Sequence, residues 1–232
     1  MDIKEAKTPY FSIVMPAYGV EKYIDRAIQS IQNQTFDNWE ILVVDDCTKD
    51  GSGRIAEKYA SEDSRIQVIR HEVNRGLSAA RNTGTRAARG EYIWFMDPDD
   101  YVDPALLAQV YASIEKNPAQ AVLFGHIEEY YDKKGHLQYT HPICPEEHYY
   151  RSAEEFRPHI IELEQQTLYG YAWNKFYLLS YIRELKLDYE NVRLIEDIVF
   201  NIKYFMDIER MNILPIVPYH YGKRMEANLT NK

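Results

Sequence analysis

Along the first half of this chain, short apolar runs alternate with helix-period segments, and each of the first four runs ends in a polar or kinked cluster. "FSIVM" (Phe11 to Met15) reads as a buried strand, after which Ile24, Ala27, Ile28 and Ile31 recur at helical spacing. "EILVV" (Glu40 to Val44) precedes the helical "GRIAEKYASED", and "IQVIR" (Ile66 to Arg70) precedes "LSAARNTGTRAA". "YIWFM" (Tyr92 to Met96) comes before a helix expected from about Pro104, where proline suits a first turn. "AVLFG" (Ala121 to Gly125) reads as a fifth strand. Strand–helix alternation with short connections predicts right-handed βαβ units: an α/β fold with a mainly parallel, twisted sheet and helices on both faces. In such sheets ligands bind outside the carboxyl ends of the strands.

The rhythm breaks near Tyr130. "DKKGH" reads as a turn between strands, and a Tyr-rich polar stretch follows to Arg151, which predicts a smaller mixed lobe built onto the sheet. Amphipathic pieces are expected at Ala153 to Leu163, Trp173 to Leu179 and Glu196 to Met206. The run "MNILPIVPYHY" carries Pro215 and Pro218, which predict an edge strand or an irregular arm.

A parallel sheet puts the four clusters on one edge: "PAYG", "DDCTKDGSG", "HEVNRG" and "DPDD". Pro16, Ala17 and Tyr18 offer backbone groups and a ring for stacking, and Asp45 or Asp46 offers an acceptor for a base N–H. Taken singly, each cluster also fits plain turn chemistry. Arg81, near the start of its helix, is placed to face a diphosphate, whereas Arg86 and Arg89 fit a solvated helix face. Neither a GxxxxGK[ST] loop nor a GxGxxG fingerprint occurs, so phosphates need another partner. Asp97 and Asp99 supply one if they hold Mg²⁺ or Mn²⁺, hard cations that bind through one or two carboxylates, waters and phosphates. Asp103 reads as the cap of the following helix, and Asp100 stays open between a cap and an outer partner of the metal. Glu196 and Asp197 open an apolar helical pattern, where a helix-dipole role is the plain alternative to chemistry.

Composition excludes several classes. Lys plus Arg is 27 against 36 for Asp plus Glu, a net charge of -9, which disfavours nucleic acid and anionic lipid as partners. No apolar run reaches the roughly 18–20 residues that span a bilayer, so membrane contact is expected to be peripheral at most. Two cysteines and an N-terminus without an apolar signal core predict a reducing, cytoplasmic setting, with the inner face of the plasma membrane as the place of any such contact.

With those residues in view, the segments Phe11 to Ser52, Asn74 to Pro104, "YAWNKFY" and "IEDIVFN" together closely resemble the bacterial family 2 glycosyltransferases of the GT-A fold. The similarity is continuous from Phe11 to about Leu107 and returns in patches to Asn201. It implies one catalytic domain, with residues 10–127 as the nucleotide-sugar half and residues 128–232 as the acceptor-side half. Members of the family often continue further, so the resemblance leaves room for an additional C-terminal part. It also implies inverting transfer from a nucleotide diphosphate sugar, usually UDP-linked, to the hydroxyl of a glycan or lipid-linked acceptor in cell-surface polysaccharide synthesis.

Carried over by position, Pro16, Ala17 and Tyr18 match the base and ribose end of the donor site, and Asp46 matches the uracil-reading aspartate. Asp99 matches the metal-binding aspartate, with Asp97 as its D-x-D partner. Asp197 matches the general base, with Glu196 beside it, and Trp173 and Lys175 fall in a segment lining the acceptor side. Trp173 as a core anchor and Lys175 as a surface charge are the plain alternatives. His220 is open between a third metal ligand, a phosphate contact and a structural role. The chain departs from the family at Gly19, where Asn is usual, at Cys47, where Gly or Asn is usual, and at Pro98, where Ser is common. The rivals are a sugar-phosphate nucleotidyltransferase, which needs a glycine- and lysine-rich loop absent from "PAYGVEKYI", and an inactive sugar-nucleotide binder.

Overall fold

A computed structural model describes residues 8–192 and 194–224. The strands β1 (Phe11–Ala17), β2 (Trp39–Asp45), β3 (Ile66–Arg70) and β4 (Tyr92–Phe95) lie in the order β3-β2-β1-β4 and run parallel. Between them come α1 (Ile24–Gln32), α2 (Ser52–Glu62) and α3 (Leu77–Ala87). Every residue of β1 and β2 is buried, as expected of strands covered on both faces. Side chains alternate between two cores. Ile13, Met15, Ile41 and Val43 pack with α1, α2 and α4 (Leu106–Lys116), while Val14, Leu42 and Val44 face α3 and the later helices.

The sheet continues through a strand not expected from the sequence. The segment from Trp173 to Leu179 is not an amphipathic helix; it contains β9 (Lys175–Leu178), inserted antiparallel between β4 and β6 (Ala121–Tyr131). A short apolar run does not separate the two periods, and pairing to strands on both sides decides for the strand. The helix α7 (Leu179–Glu184) follows at once.

The run with two prolines is not an edge arm either. It forms β10 (Met211–Arg224), parallel to β6 on one side and antiparallel to β5 (Tyr101–Val102) and β8 (His148–Tyr150) on the other. Its register against β6 shifts between Leu214 and Tyr219, and Pro215 and Pro218 sit inside that break, where no ladder N–H is needed.

Beyond residue 128 the smaller lobe is mixed. β7 (Leu137–Ile143) closes a hairpin on β6 across residues 132–136, and α5 (Ala153–Phe156) and α6 (Ile160–Gln165) flank a single 3₁₀ turn containing Pro158. The helix α8 (Glu196–Phe205) packs Phe200, Tyr204 and Phe205 against the second core. No helix among the described residues is long and apolar enough to cross a membrane.

Candidate active site at the carboxyl edge of the sheet

The four clusters do share one edge, and hydrogen bonds tie them together. Gly19 N–H donates to Thr48 Oγ1 at 3.0 Å, Val20 N–H to Ser52 Oγ at 3.0 Å, and Glu21 N–H to Asp50 Oδ2 at 3.0 Å. Pro16 and Ala17 are buried at the end of β1, whereas Tyr18 is 53% exposed, its ring free for stacking. Gly19 has φ +71° and Cys47 φ 58°, so two of the three family departures fall at left-handed positions. That conformation is what Gly and Asn tolerate best, which accounts for the residues usual there. Cys47→Gly is therefore expected to raise the urea midpoint: relief of about 1–2 kcal/mol outweighs the roughly 0.5–1 kcal/mol that glycine's extra unfolded freedom costs. A lower midpoint would refute the strain at this position.

Asp46 is buried and takes three partners. Its carboxylate accepts from the backbone N–H groups of Arg75 and Gly76, both at 2.8 Å, and meets His71 Nδ1 at 2.7 Å, while His71 Nε2 meets Thr83 Oγ1 at 2.9 Å. Asp46 thus shapes the loop after β3, a role that "HEVNRG" alone does not reveal. Asp45 is used locally as well, accepting from Thr48 N–H at 2.9 Å and Arg70 Nε at 3.0 Å.

The centre of the site is Arg81. A Cβ added at Gly84 would lie 2.3 Å from Val14 Cγ1, so the bare glycine lets α3 press onto β1 and carries Arg81, one turn earlier, under the sheet edge. Its side chain is only 2% exposed. Nη1 donates to Asp197 Oδ1 and, at 3.2 Å, to Glu196 Oε1; Nη2 reaches Asp97 Oδ1 at 3.3 Å. The guanidinium also lies 5.1 Å from the ring centre of Tyr189. Arg81 does not face an open diphosphate position, as the sequence suggested, because its charge is spent on three carboxylates. Burial alone would weaken its hold on the proton, but Asp197 foremost, with Asp97 and Glu196, holds it charged. Burial, added to the negative charges of Asp99 and Asp197, pushes the Asp97 carboxyl up to about 7 despite the pull of Arg81.

Asp197 is held from two sides, since its Oδ2 accepts from Ala172 N–H at 3.1 Å. The loop carrying Ala172 is fixed by two buried side chains. Lys175 Nζ donates to the carbonyls of Leu168 (2.7 Å) and Tyr171 (2.6 Å) and to Asn174 Oδ1 (2.7 Å). Asn201 Nδ2 donates to Tyr169 and Gly170, both at 2.8 Å, and to Tyr171 at 3.2 Å. Lys175 is fully buried, so it is neither a surface charge nor open to an acceptor. Trp173 is also buried, stacked on Tyr219 at 4.5 Å and Tyr171 at 4.6 Å, with its carbonyl accepting from Trp94 Nε1 at 2.6 Å. Directly before the acidic pair, Ile195 takes φ 65°, a conformation a β-branched residue rarely adopts.

The remaining acidic residues part company. Asp100 is fully buried and accepts from Tyr219 Oη (2.9 Å) and Gly222 N–H (2.8 Å), clamping the D-x-D turn to β10. Asp103 does not cap a helix: α4 begins at Leu106 with no side-chain cap, and the Asp103 carboxylate faces His220 Nε2 at 3.2 Å. His220 also meets Glu129 through Nδ1 at 2.9 Å and stacks on Tyr101, so both ring nitrogens are committed and no metal ligand remains. Asp99 is the open one, 37% exposed, with Arg224 Nη1 on its Oδ2 at 3.1 Å and Arg224 Nη2 on its carbonyl at 2.7 Å.

No cluster of three His, Cys, Asp or Glu residues among the described residues forms a closed metal cage. Asp99 and Asp97 offer oxygen donors only, the donor type that suits Mg²⁺ or Mn²⁺ completed by water and phosphate. The donor chemistry fits.

Residues 12–185 match the model of a family described as "Glycosyl transferase family 2". The chain belongs to glycosyl transferase family 2. It is 36% identical over 214 residues to EpsJ of Bacillus subtilis (strain 168), named an uncharacterized glycosyltransferase, covering 92% of this chain and 61% of that protein. It is 27% identical over 221 residues to the poly(ribitol-phosphate) beta-N-acetylglucosaminyltransferase TarS of Staphylococcus aureus (strain Mu50 / ATCC 700699), covering 94% of this chain and 36% of that one. The crystal structure of S. aureus TarS residues 1–349 in complex with UDP superposes with a TM-score of 0.73 at 25% identity, over 92% of this chain and 60% of that one. The fold is therefore GT-A, and this family 2 chain spans about three fifths (61%) of EpsJ's length. Family membership also leaves the nucleotidyltransferase alternative without support.

Proposed function

We propose that the chain is an inverting glycosyltransferase, moving a sugar from a nucleotide diphosphate donor, UDP-linked by preference, to an acceptor hydroxyl in cell-surface polysaccharide synthesis. The observation that carries this reading is Arg81, which joins the Asp97 end of the D-x-D turn to Glu196 and Asp197 at the start of α8. Two acidic motifs far apart in sequence thereby meet at one buried cation.

In this reading the exposed Tyr18 stacks on the base, with Pro16 and Ala17 lining its edge. Three donors on Asp46 leave one of about four carboxylate lone pairs for a base N–H. Asp99, with Asp97, would hold Mn²⁺ or Mg²⁺, which when bound supplies charge stabilisation to the leaving diphosphate. Asp197, oriented by Arg81 and Ala172 N–H, takes the proton of the acceptor hydroxyl as its oxygen attacks the anomeric carbon from the face opposite the diphosphate. Lys175 and Asn201 act one step back, by holding the loop that positions Asp197. The acceptor is a glycan, free or lipid-linked, and Glu196 belongs to the wall on its side, with the buried Trp173 packed behind as a core anchor.

Calorimetric titration with UDP is the direct test. Saturable binding is expected with Mn²⁺ and its loss with EDTA, followed by slow hydrolysis of one member of a UDP-sugar panel without acceptor. Failure to bind any nucleoside diphosphate would overturn the transferase reading.

A further inference from the structure

Between β6 and β7 on one side and α6 on the other lies an open trough of about 990 Å³, at the large end of ligand-sized cavities. Its wall carries a group of carboxylates beside neutral or weakly basic donors, among them His141, His148, His159, Gln165 and Gln166. Glu146, Glu147 and Glu162 are exposed carboxylates on it. Lys223, the one lysine or arginine in the wall among the described residues, is already spent on Glu128 at 2.5 Å. Glu128 in turn accepts from Tyr130 Oη at 2.7 Å.

An aromatic platform adjoins these acceptors. Tyr130 lies in the wall with its ring flat against Tyr139, at 4.3 Å and 14°, and Tyr139 is 58% exposed. Two residues before Glu128, and outside the wall itself, His126 is fully buried edge-on to Trp173 at 4.8 Å, and neither ring nitrogen has a partner. Such a group in a folded protein calls for a water or a ligand. Burial holds His126 neutral, with its pKa lowered to about 4.

The trough also lies within a short length of chain of the proposed base. Thr167 is in its wall, and five residues on, Ala172 N–H binds Asp197, a reach of at most about 17 Å along the chain.

We infer that this trough is a subsite for an extended acceptor glycan that is rich in hydroxyl or amine donors and carries no anionic groups. The inference rests on the transferase reading and names the acceptor class of that same site. Hydroxyls and amines donate to the carboxylates while a sugar face lies on Tyr130 and Tyr139. Phosphate or uronate oxygens are repelled by the carboxylates, and among the described wall residues no lysine or arginine is free to offset this, while His141 and His159 each already face a carboxylate at 3.5 Å. The acceptor named for TarS, a ribitol phosphate polymer, is therefore the wrong class for this chain.

The test is direct binding to the full chain, by ligand-observed NMR, of neutral hexasaccharides (glucan, mannan, galactan and N-acetylglucosamine), a glucosamine hexamer and a ribitol phosphate hexamer. At least one neutral or amine hexamer is expected to bind, with affinity reduced 10-fold or more in Tyr130→Ala and in the surface variant Glu162→Lys. The ribitol phosphate hexamer is expected to bind only to Glu146→Lys/Glu162→Lys. Equal binding of the phosphate hexamer to the unaltered chain, or no loss in either variant, overturns the inference. A chain that binds UDP and Mn²⁺ but no neutral or amine hexamer refutes the subsite alone; one that binds neither nucleotide nor glycan refutes the transferase reading as well.

Discussion

Arg81→Met is expected to cost about 3–5 kcal/mol, the usual penalty for removing one partner from a buried charge cluster. Methionine fills much of the same volume, so the loss reports charge rather than a cavity. Asp97, Glu196 and Asp197, with side chains 28%, 17% and 15% exposed, would then face one another without the cation that joins them. A loss of this size is a large share of the 5–15 kcal/mol that holds a typical domain together. Arg81→Lys is expected to fall between, since one ammonium cannot span the positions of both Nη1 and Nη2. Urea denaturation of the three proteins checks this. A methionine variant within about 0.5 kcal/mol of the parent, the range of an ordinary surface change, would show that the bridge is not a structural tie.

The second large effect concerns Asp197. Asp197→Asn keeps the shape and an oxygen for Ala172 N–H, but removes the capacity to take a proton. Transfer is expected to fall by about 10²- to 10⁴-fold, the usual worth of general-base help, while UDP still binds with Mn²⁺. Turnover with an identified donor and calorimetric titration on the same preparation separate the two. Equal loss of binding and turnover would move Asp197 from base to scaffold. Glu196 also contacts Arg81, yet Ala172 N–H is bonded to Asp197, so Glu196→Gln is expected to cost less turnover.

The amino half was legible because its signals are local. Ile24, Ala27, Ile28 and Ile31 face the core at helical spacing, and the fully buried β1 and β2 are built on the apolar runs Ile13–Met15 and Ile41–Val44. Two segments of the second half misled for a physical reason. "WNKFYLL" is too short for its period to speak, and two prolines in β10 imitate an edge when they mark a register break in an interior strand. The site divided in the same way. Acidic motifs at strand and helix ends could be found by position, but their partners could not. His71 beside Asp46, Arg224 on Asp99 and Asn201 beneath the Ala172 loop are tertiary contacts, and no local pattern announces them. Asn201 left one trace: it stands one helical turn after Asp197, on the face that α8 buries.

The antiparallel wedge β9 bears on how the chain can be dissected. Residues 175–178 separate β4 from β6, so a fragment ending at residue 127 would leave two sheet edges facing an empty slot. Unpaired edges of buried, apolar strands invite pairing with other chains. The half before residue 128 is thus not a separable module; its last seam closes only when the later half has been synthesised and threads a strand back into it.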